Sequence, residues 1–247
     1  MLLRRVISHV KAQNWTAIAL DFAIVVSGVF IGVQLSNWNA ARQTERDYER
    51  ALARYAAELE VNLETLQTTE QGAIEGLRIV GDAINALQSC EDTDANRAAI
   101  EAGIKRSMGT YGLHLRTNAL RNLTDNSALL ARQSEAERQR FQETRYYVDL
   151  FLREAEFVEL IPLNERLQNN PMIELGPPAE RETQYVGVDF SRPERTLLLA
   201  APVDEACKDN LLASSLYTWE RWQGALPAVI RVLRSELEDD RDFLKGE

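Results

Sequence analysis

Residues Thr16 to Trp38 read TAIALDFAIVVSGVFIGVQLSNW, a run with no Lys, Arg or Pro whose one formal charge is Asp21. At ~1.5 Å per residue such a helix reaches roughly 34 Å, enough for a ~30 Å hydrocarbon layer. Trp15 and Trp38 stand at its two ends, where amphipathic rings favour the lipid–water interface. The run predicts one transmembrane helix over residues 15–38, with the rest of the chain held beside a lipid bilayer.

A cleaved leader is the competing reading, since the basic start (Arg4, Arg5, Lys11) suits both. Cleavage after Ala41 would put Asn39 at the −3 position, and cleavage after Ala40 would put Trp38 there. Both are too large for a small-residue site, and Asp21 interrupts the apolar region such a leader needs. An uncleaved anchor is the better reading. A buried helix of a soluble core is ordinarily shorter than this run.

Flanking charge sets the orientation. Residues 1–14 carry three basic side chains and no acid, whereas Arg42, Arg46, Arg50 and Arg54 after the span alternate with Glu45, Asp47 and Glu49. Moving the basic tail outward against the membrane potential costs about 2.3 kcal/mol per charge per 100 mV. Long domains cross largely regardless of charge. The expectation is a short basic cytoplasmic tail (1–14) and an exported domain (39–247), placing the chain in a bacterial inner membrane with a periplasmic C-terminal part.

The whole chain has 28 basic and 38 acidic residues. Without the tail and Asp21, residues 39–247 keep 25 basic and 37 acidic side chains, a charge of about −12. That excludes a nucleic-acid partner, which needs a basic surface. The whole chain has only 12 Gly and 7 Pro and is rich in Ala, Leu, Glu and Arg, so the domain reads as helical. The fold expected is all-α: the transmembrane helix, then an antiparallel helical bundle with a proline-rich irregular connection. Cys90 and Cys207 lie in polar segments. Two readings stand for them: one disulfide tying the first helical hairpin to the last, or two unpaired buried thiols.

From Arg42 to Ser89, apolar residues recur every seven positions at Leu52, Leu59, Leu66, Ala73, Val80 and Leu87. Ala56, Leu63, Leu77 and Ile84 widen this helical stripe. Gly72, Gly76 and Gly81 predict a break near Thr68–Gly72. A helix over Asp94–Ser107 with Asp94 as its cap, a turn at Met108–Gly112, and a less regular helix over Leu115–Gln133 broken at Thr124–Ser127 follow. Ser134 with Glu137 forms a capping-box pattern that opens a helix to about Leu160. Six of the seven prolines fall between Pro162 and Pro202. There a short helix at Leu163–Leu167, a short strand at Tyr185–Phe190 and a helix or strand over Glu194–Ala201 are expected. A helix over Val203–Trp222 ends at Gly224, Pro227 opens a last helix, and the acidic tail from Glu236 frays.

The chemistry-bearing residues form no motif. The histidines are His9 and His114, with no metal-ligand spacing. Phosphate-loop, dinucleotide and nucleophile-elbow patterns are missing, so the chain reads as a non-enzyme without cofactor. Asp239-Asp240 reads as a solvated acidic pair. Trp219 and Trp222 read as core or interface filler rather than a ligand stack. Asn122-Leu-Thr124 matches the glycosylation pattern, which matters only in a glycosylating host.

Inside the span, Gly28 and Gly32 form a G-x-x-x-G that lets two helices approach closely in lipid. Asp21 lies seven residues earlier on the same face. One reading makes these three residues a helix-association surface; the other is a snorkelling or protonated acid beside a chance glycine pair. Gln34, Asn37, Trp38 and Asn39 complete a Gln-x-x-Asn-Trp-Asn signature. In this segment the chain resembles a group of uncharacterised bacterial single-span membrane proteins, with a short basic start and a helical domain of about 200 residues. The resemblance implies a bacterial inner-membrane protein and carries over no catalytic residue. The function expected is that of a helical interaction or scaffold protein of the cell envelope, self-associating through the glycines and the heptad face above them. The alternative is a ligand-sensing bundle working through a partner membrane protein.

Overall fold

The computed structural model describes residues 15–164, 167–185 and 188–246, without the side chains of 15–19, 21, 164, 181, 183–185 and 188. The first helix, α1, is Trp15–Ser89, 75 residues long, which at ~1.5 Å per residue is about 112 Å. The apolar run and the heptad stripe are therefore two parts of one helix. The first buried side chain after the run is Tyr48. Beyond it Tyr55, Leu59, Leu66, Ala73 and Val80 are all at or below 1% exposure. Each large side chain so buried is worth about 1.5–3 kcal/mol, so this stripe is the spine of the core. Leu52 and Leu63 are half-buried and Ala56 is exposed.

The break expected near Thr68–Gly72 does not occur. Gly72 and Gly76 lie under the Tyr111 ring, where a Cβ would stand 2.7 Å and 2.9 Å from ring carbons. At Gly76 it would also stand 3.0 Å from the Trp219 ring. The glycines serve close packing of rings on the helix, and that outweighs a propensity cost of ~1 kcal/mol each.

Cys90 follows α1 with φ 55. Helix α2 is Asp94–Ser107. Its cap is Thr93, one residue before the expected Asp94, and the Thr93 hydroxyl accepts from the Asn96 amide at 3.2 Å. Helices α3 (Asn118–Asp125) and α4 (Ser127–Leu130) divide at Asn126, whose side chain caps α4. Helix α5 is Glu135–Leu160 and carries both halves of the capping box: the Glu137 amide donates to Ser134 Oγ at 3.2 Å, and the Ser134 amide to Glu137 Oε2 at 2.6 Å.

The proline-rich stretch corrects the all-α expectation. After 3₁₀ turns at Pro162–Asn164 and Leu167–Asn169 come strands β1 (Ile173–Tyr185) and β2 (Val188–Leu199). They pair antiparallel from Ile173↔Leu199 to Tyr185↔Val188, with an irregularity between Leu175 and Pro178. The fold is mostly helical with a small two-stranded sheet. In a two-stranded ribbon each strand keeps an outer edge, and there a proline lacking its N–H is tolerated. The short helix expected at Leu163–Leu167 falls partly on residues outside the described set, as does the middle of the expected Tyr185–Phe190 strand.

Helices α6 (Val203–Ala206) and α7 (Asn210–Gln223) replace the single helix expected over Val203–Trp222. The interruption is fixed by Asp209, which caps α7 by accepting from the Leu212 amide at 2.7 Å. Helix α8 is Leu226–Lys245 with Pro227 in its first turn. The tail expected to fray is helical through Lys245 and supplies buried Leu237 and Asp240.

The buried residues form two clusters along α1. One joins α1 to α3, α4, α5 and α8; the other joins it to α2, β2, α6 and α7. Tyr48 donates to Glu137 at 2.8 Å, so the start of α5 sits at the end of the bundle nearest the apolar run. Cys90 and Cys207 are bonded, with Cα atoms 5.4 Å apart across a separation of 117 residues. That bond clasps the far end.

Candidate functional site

Eleven large apolar side chains from Leu20 to Trp38 are each 48–70% exposed. They point to every side of α1, so no face of the run is covered by the rest of the chain. Burying such side chains is worth ~1.5–3 kcal/mol each, or roughly 15–30 kcal/mol together. That exceeds the ~5–15 kcal/mol net stability of an ordinary domain. Among the described residues, one helix is long and apolar enough to cross a membrane, and it is this one.

Gly28 and Gly32 have nothing within 4 Å of the position a Cβ would take. At 3.6 residues per turn they lie roughly 150° around the helix from Tyr48, Ala51 and Tyr55. The glycine face and the core face are thus nearly opposite. This corrects one expectation: the heptad face above the run is consumed by the bundle core and is not an open surface for a second copy. Asp21 lies in α1, and its side chain is outside the described set.

A second constellation sits in the part of the bundle nearest the run. Asp240 is fully buried and accepts from Tyr55 Oη, from Arg140 Nε, and from Thr144 Oγ at 2.8 Å. Arg140 also donates to the Glu236 carbonyl at 2.8 Å and lies 3.5 Å from the Glu236 carboxylate. Burial raises the Asp240 pKa, against the lowering pull of Tyr55, Thr144 and Arg140. Burial likewise raises Glu236, only partly offset by Arg140. Burial, with the Asp240 charge beside it, pushes the Tyr55 phenol far up. Burial works against the Arg140 charge, yet Asp240 and Glu236 outweigh it and raise its pKa. Both Asp240 oxygens are taken by protein donors, so the cluster clamps α1, α5 and α8 together.

This corrects the reading of Asp239-Asp240 as a solvated pair. The signal was in the sequence: Leu226, Ile230, Leu233 and Leu237 alternate by four and three, and Asp240 is the next position of that stripe. Glu58, 8% exposed, is another missed carboxylate. It accepts from the Ala119 and Leu120 amides at 2.9 and 3.0 Å, capping α3, whose own cap Thr117 makes no side-chain bond. Gln223, fully buried, accepts from the Tyr111 amide and donates to the Val158 carbonyl, pinning the loop over Gly72 and Gly76.

Trp219 is 1% exposed and donates to the Gly109 carbonyl at 2.8 Å, while Trp222 is half-buried. His114 is exposed, 4.0 Å from Glu159, and His9 lies outside the described residues. Among the described residues no group of three or more His, Cys, Asp or Glu is placed to hold a metal ion. Compared with known proteins, the chain matches no family model, no curated protein and no solved structure.

Proposed function

We propose that the chain is a membrane-anchored helical interaction or scaffold protein of the bacterial cell envelope. Residues 15–38 are the single span, residues 1–14 a basic cytoplasmic tail, and residues 39–247 the exported bundle. The observation that carries this reading is the uncovered apolar run on the same unbroken helix that forms the spine of the bundle. In water that surface would stay unburied; in lipid it needs no further protein partner. The Cys90–Cys207 bond supports the exported side, because disulfides persist in oxidising compartments. The Gln34, Asn37, Trp38 and Asn39 signature supports a bacterial inner membrane.

The uncovered Gly28 and Gly32, with Asp21, are the surface where a second copy or a partner's span packs. A second reading, the ligand-sensing bundle, is favoured by a cavity between α2 and the β-hairpin.

Reporters fused to the C-terminus test the orientation. An export-dependent reporter is active and a cytosol-dependent one silent; the reverse pattern overturns it. For association, Gly28→Ile with Gly32→Ile reduces crosslinked dimer in native membranes. Crosslinking equal to wild type removes the glycine face from the account.

A further inference from the structure

The side of α1 that carries Gly28 and Gly32 continues, at 3.6 residues per turn, through Asn39, Gln43, Arg46, Arg50, Ala53 and Ala57. All six are exposed, so the bundle covers the Tyr55 side of α1 and leaves this side bare. Their spacing alternates four and three, that of a coiled-coil seam. In two parallel copies packed along such a seam, a flanking residue of one meets the residue five positions on in the other. Glu49, on the α8 side of the seam, and Arg54, on the α3 side, stand five positions apart. Both are exposed, and neither makes an ion pair among the described residues. A two-fold axis therefore brings Glu49 of each copy to Arg54 of the other. Arg42 and Asp47 repeat the relation one heptad earlier, although Asp47 already holds Arg50 at 2.6 Å. Arg46 and Arg50 on the seam oppose the pairing by like charge. Asp47 within the chain and Glu49 from the second copy offset that.

Higher up, two grooves of opposite sign flank the same face. In the groove shared with α3, Asp47 is bonded to Arg50 and Glu58 is spent on the Ala119 and Leu120 amides, which leaves Arg54 and Arg116 in excess. The groove shared with α8 holds Glu60, Glu64 and Glu238 against Arg241, with Glu70 bonded to Arg234 at 2.5 Å. Asn62 bonds the backbone amide and carbonyl of Arg116, so Arg116 stands level with Glu60 and Glu64. A two-fold axis along α1 sets the α3 groove of one copy against the α8 groove of the other. An acidic partner of another kind would be repelled by the second groove. We propose that the partner is a second copy of this chain, packed parallel along α1 from Gly28 to Ala57, with the α3 flank of each against the α8 flank of the other. The proposal deepens the association reading above and rests on the single span, which makes two copies in one membrane parallel. It requires the helices to wind about each other at a small angle, as in a left-handed coiled coil. The crossing near −40° that G-x-x-x-G also supports would part them by roughly 25 Å at the level of Tyr55.

The test is oxidative crosslinking of the full chain in native membranes with copper phenanthroline, read on non-reducing gels. Cys90 and Cys207 are already joined, so an introduced cysteine is the free thiol. Ala53→Cys and Ala57→Cys each form a disulfide-linked dimer, because seam residues face their own counterparts. Val25→Cys, seven residues before Gly32, does so too, whereas Ala56→Cys, off the seam, reacts about tenfold more slowly. In the Ala53→Cys background, Glu49→Arg or Arg54→Glu slows crosslinking at least about threefold, since each strikes both symmetric pairs. The two together restore the parent rate, which damage to the fold would not allow. Crosslinking at position 25 but at neither 53 nor 57 overturns the inference and leaves the glycine-face association standing. Crosslinking at none of the three overturns both. Charge-reversed single variants as fast as the parent, or a double variant no faster than the singles, overturn the inference as well.

Discussion

Replacing Asp240 by Ala removes the acceptor shared by three donors, of which Tyr55 and Thr144 are buried and Arg140 half-buried. The consequences differ among them. Thr144 Oγ also lies 3.1 Å from the Arg140 carbonyl, so its one proton has somewhere to go. Arg140 is 21% exposed and keeps the carbonyl and carboxylate of Glu236. Tyr55, 1% exposed, has no second acceptor among the described residues, and a buried hydroxyl left unpaired costs about 1–3 kcal/mol. Breaking a buried ion pair by deleting one partner costs about 3–5 kcal/mol, discounted here because Arg140 retains Glu236. The expected loss is therefore about 3–4 kcal/mol, a fall in urea midpoint of ~1 M or more at a slope of ~3 kcal/mol per M. The assay is urea unfolding of the full chain in non-ionic detergent, followed by circular dichroism, with Asp239→Ala as the exposed neighbour. Asp239→Ala should stay within about 0.5 kcal/mol of wild type. Coinciding midpoints for the two variants would refute the reasoning, because Asp240 would then be behaving as a solvated acid.

Three further outcomes follow from other parts of the fold. Glu236 has a raised folded pKa, so its ionisation disfavours folding, and stability is lost as pH rises through that pKa. Glu236→Gln is thus more stable than wild type at pH 7.5, and the advantage vanishes below the unfolded value near pH ~4.3; an advantage that grows on acidification contradicts this. Gly76→Ala destabilises by about 1–3 kcal/mol in thermal melts, because its Cβ enters the space of Tyr111 and Trp219, despite the better helix former; a stabilised variant would show the rings yield freely. Cys90→Ser with Cys207→Ser loses about 2–5 kcal/mol, since the bond closes a loop across 117 residues; equal melting with and without reductant would disprove that contribution.

What the sequence disclosed was set by how local each signal is. The stripe from Leu59 to Leu87 shows itself because helical periodicity marks a face whatever covers it. Ser134 and Glu137 lie within one turn, so their capping box is readable directly, as is the interruption around Asn126. Gly72 and Gly76 misled because propensity registers the cost of a glycine and not the Tyr111 ring above it, which arrives from a loop almost forty residues on. The hairpin was hidden because its strands hold Pro177, Pro178 and Pro193 and stabilise only as a pair. Asp240 was hidden by its composition, an acid in an acidic tail, although its spacing from Leu237 and Leu233 placed it on the core face. Its partners Tyr55 and Arg140 come from helices far away in the chain, and nothing in the sequence pairs them.

The account rests on the apolar run being lodged in lipid, and alkaline carbonate extraction of native membranes tests this most directly. The intact chain should stay with the membrane pellet, while a variant with Ile24, Val29 and Ile31 each changed to Lys should move to the supernatant. Full-length wild-type chain in the detergent-free soluble fraction would contradict the account.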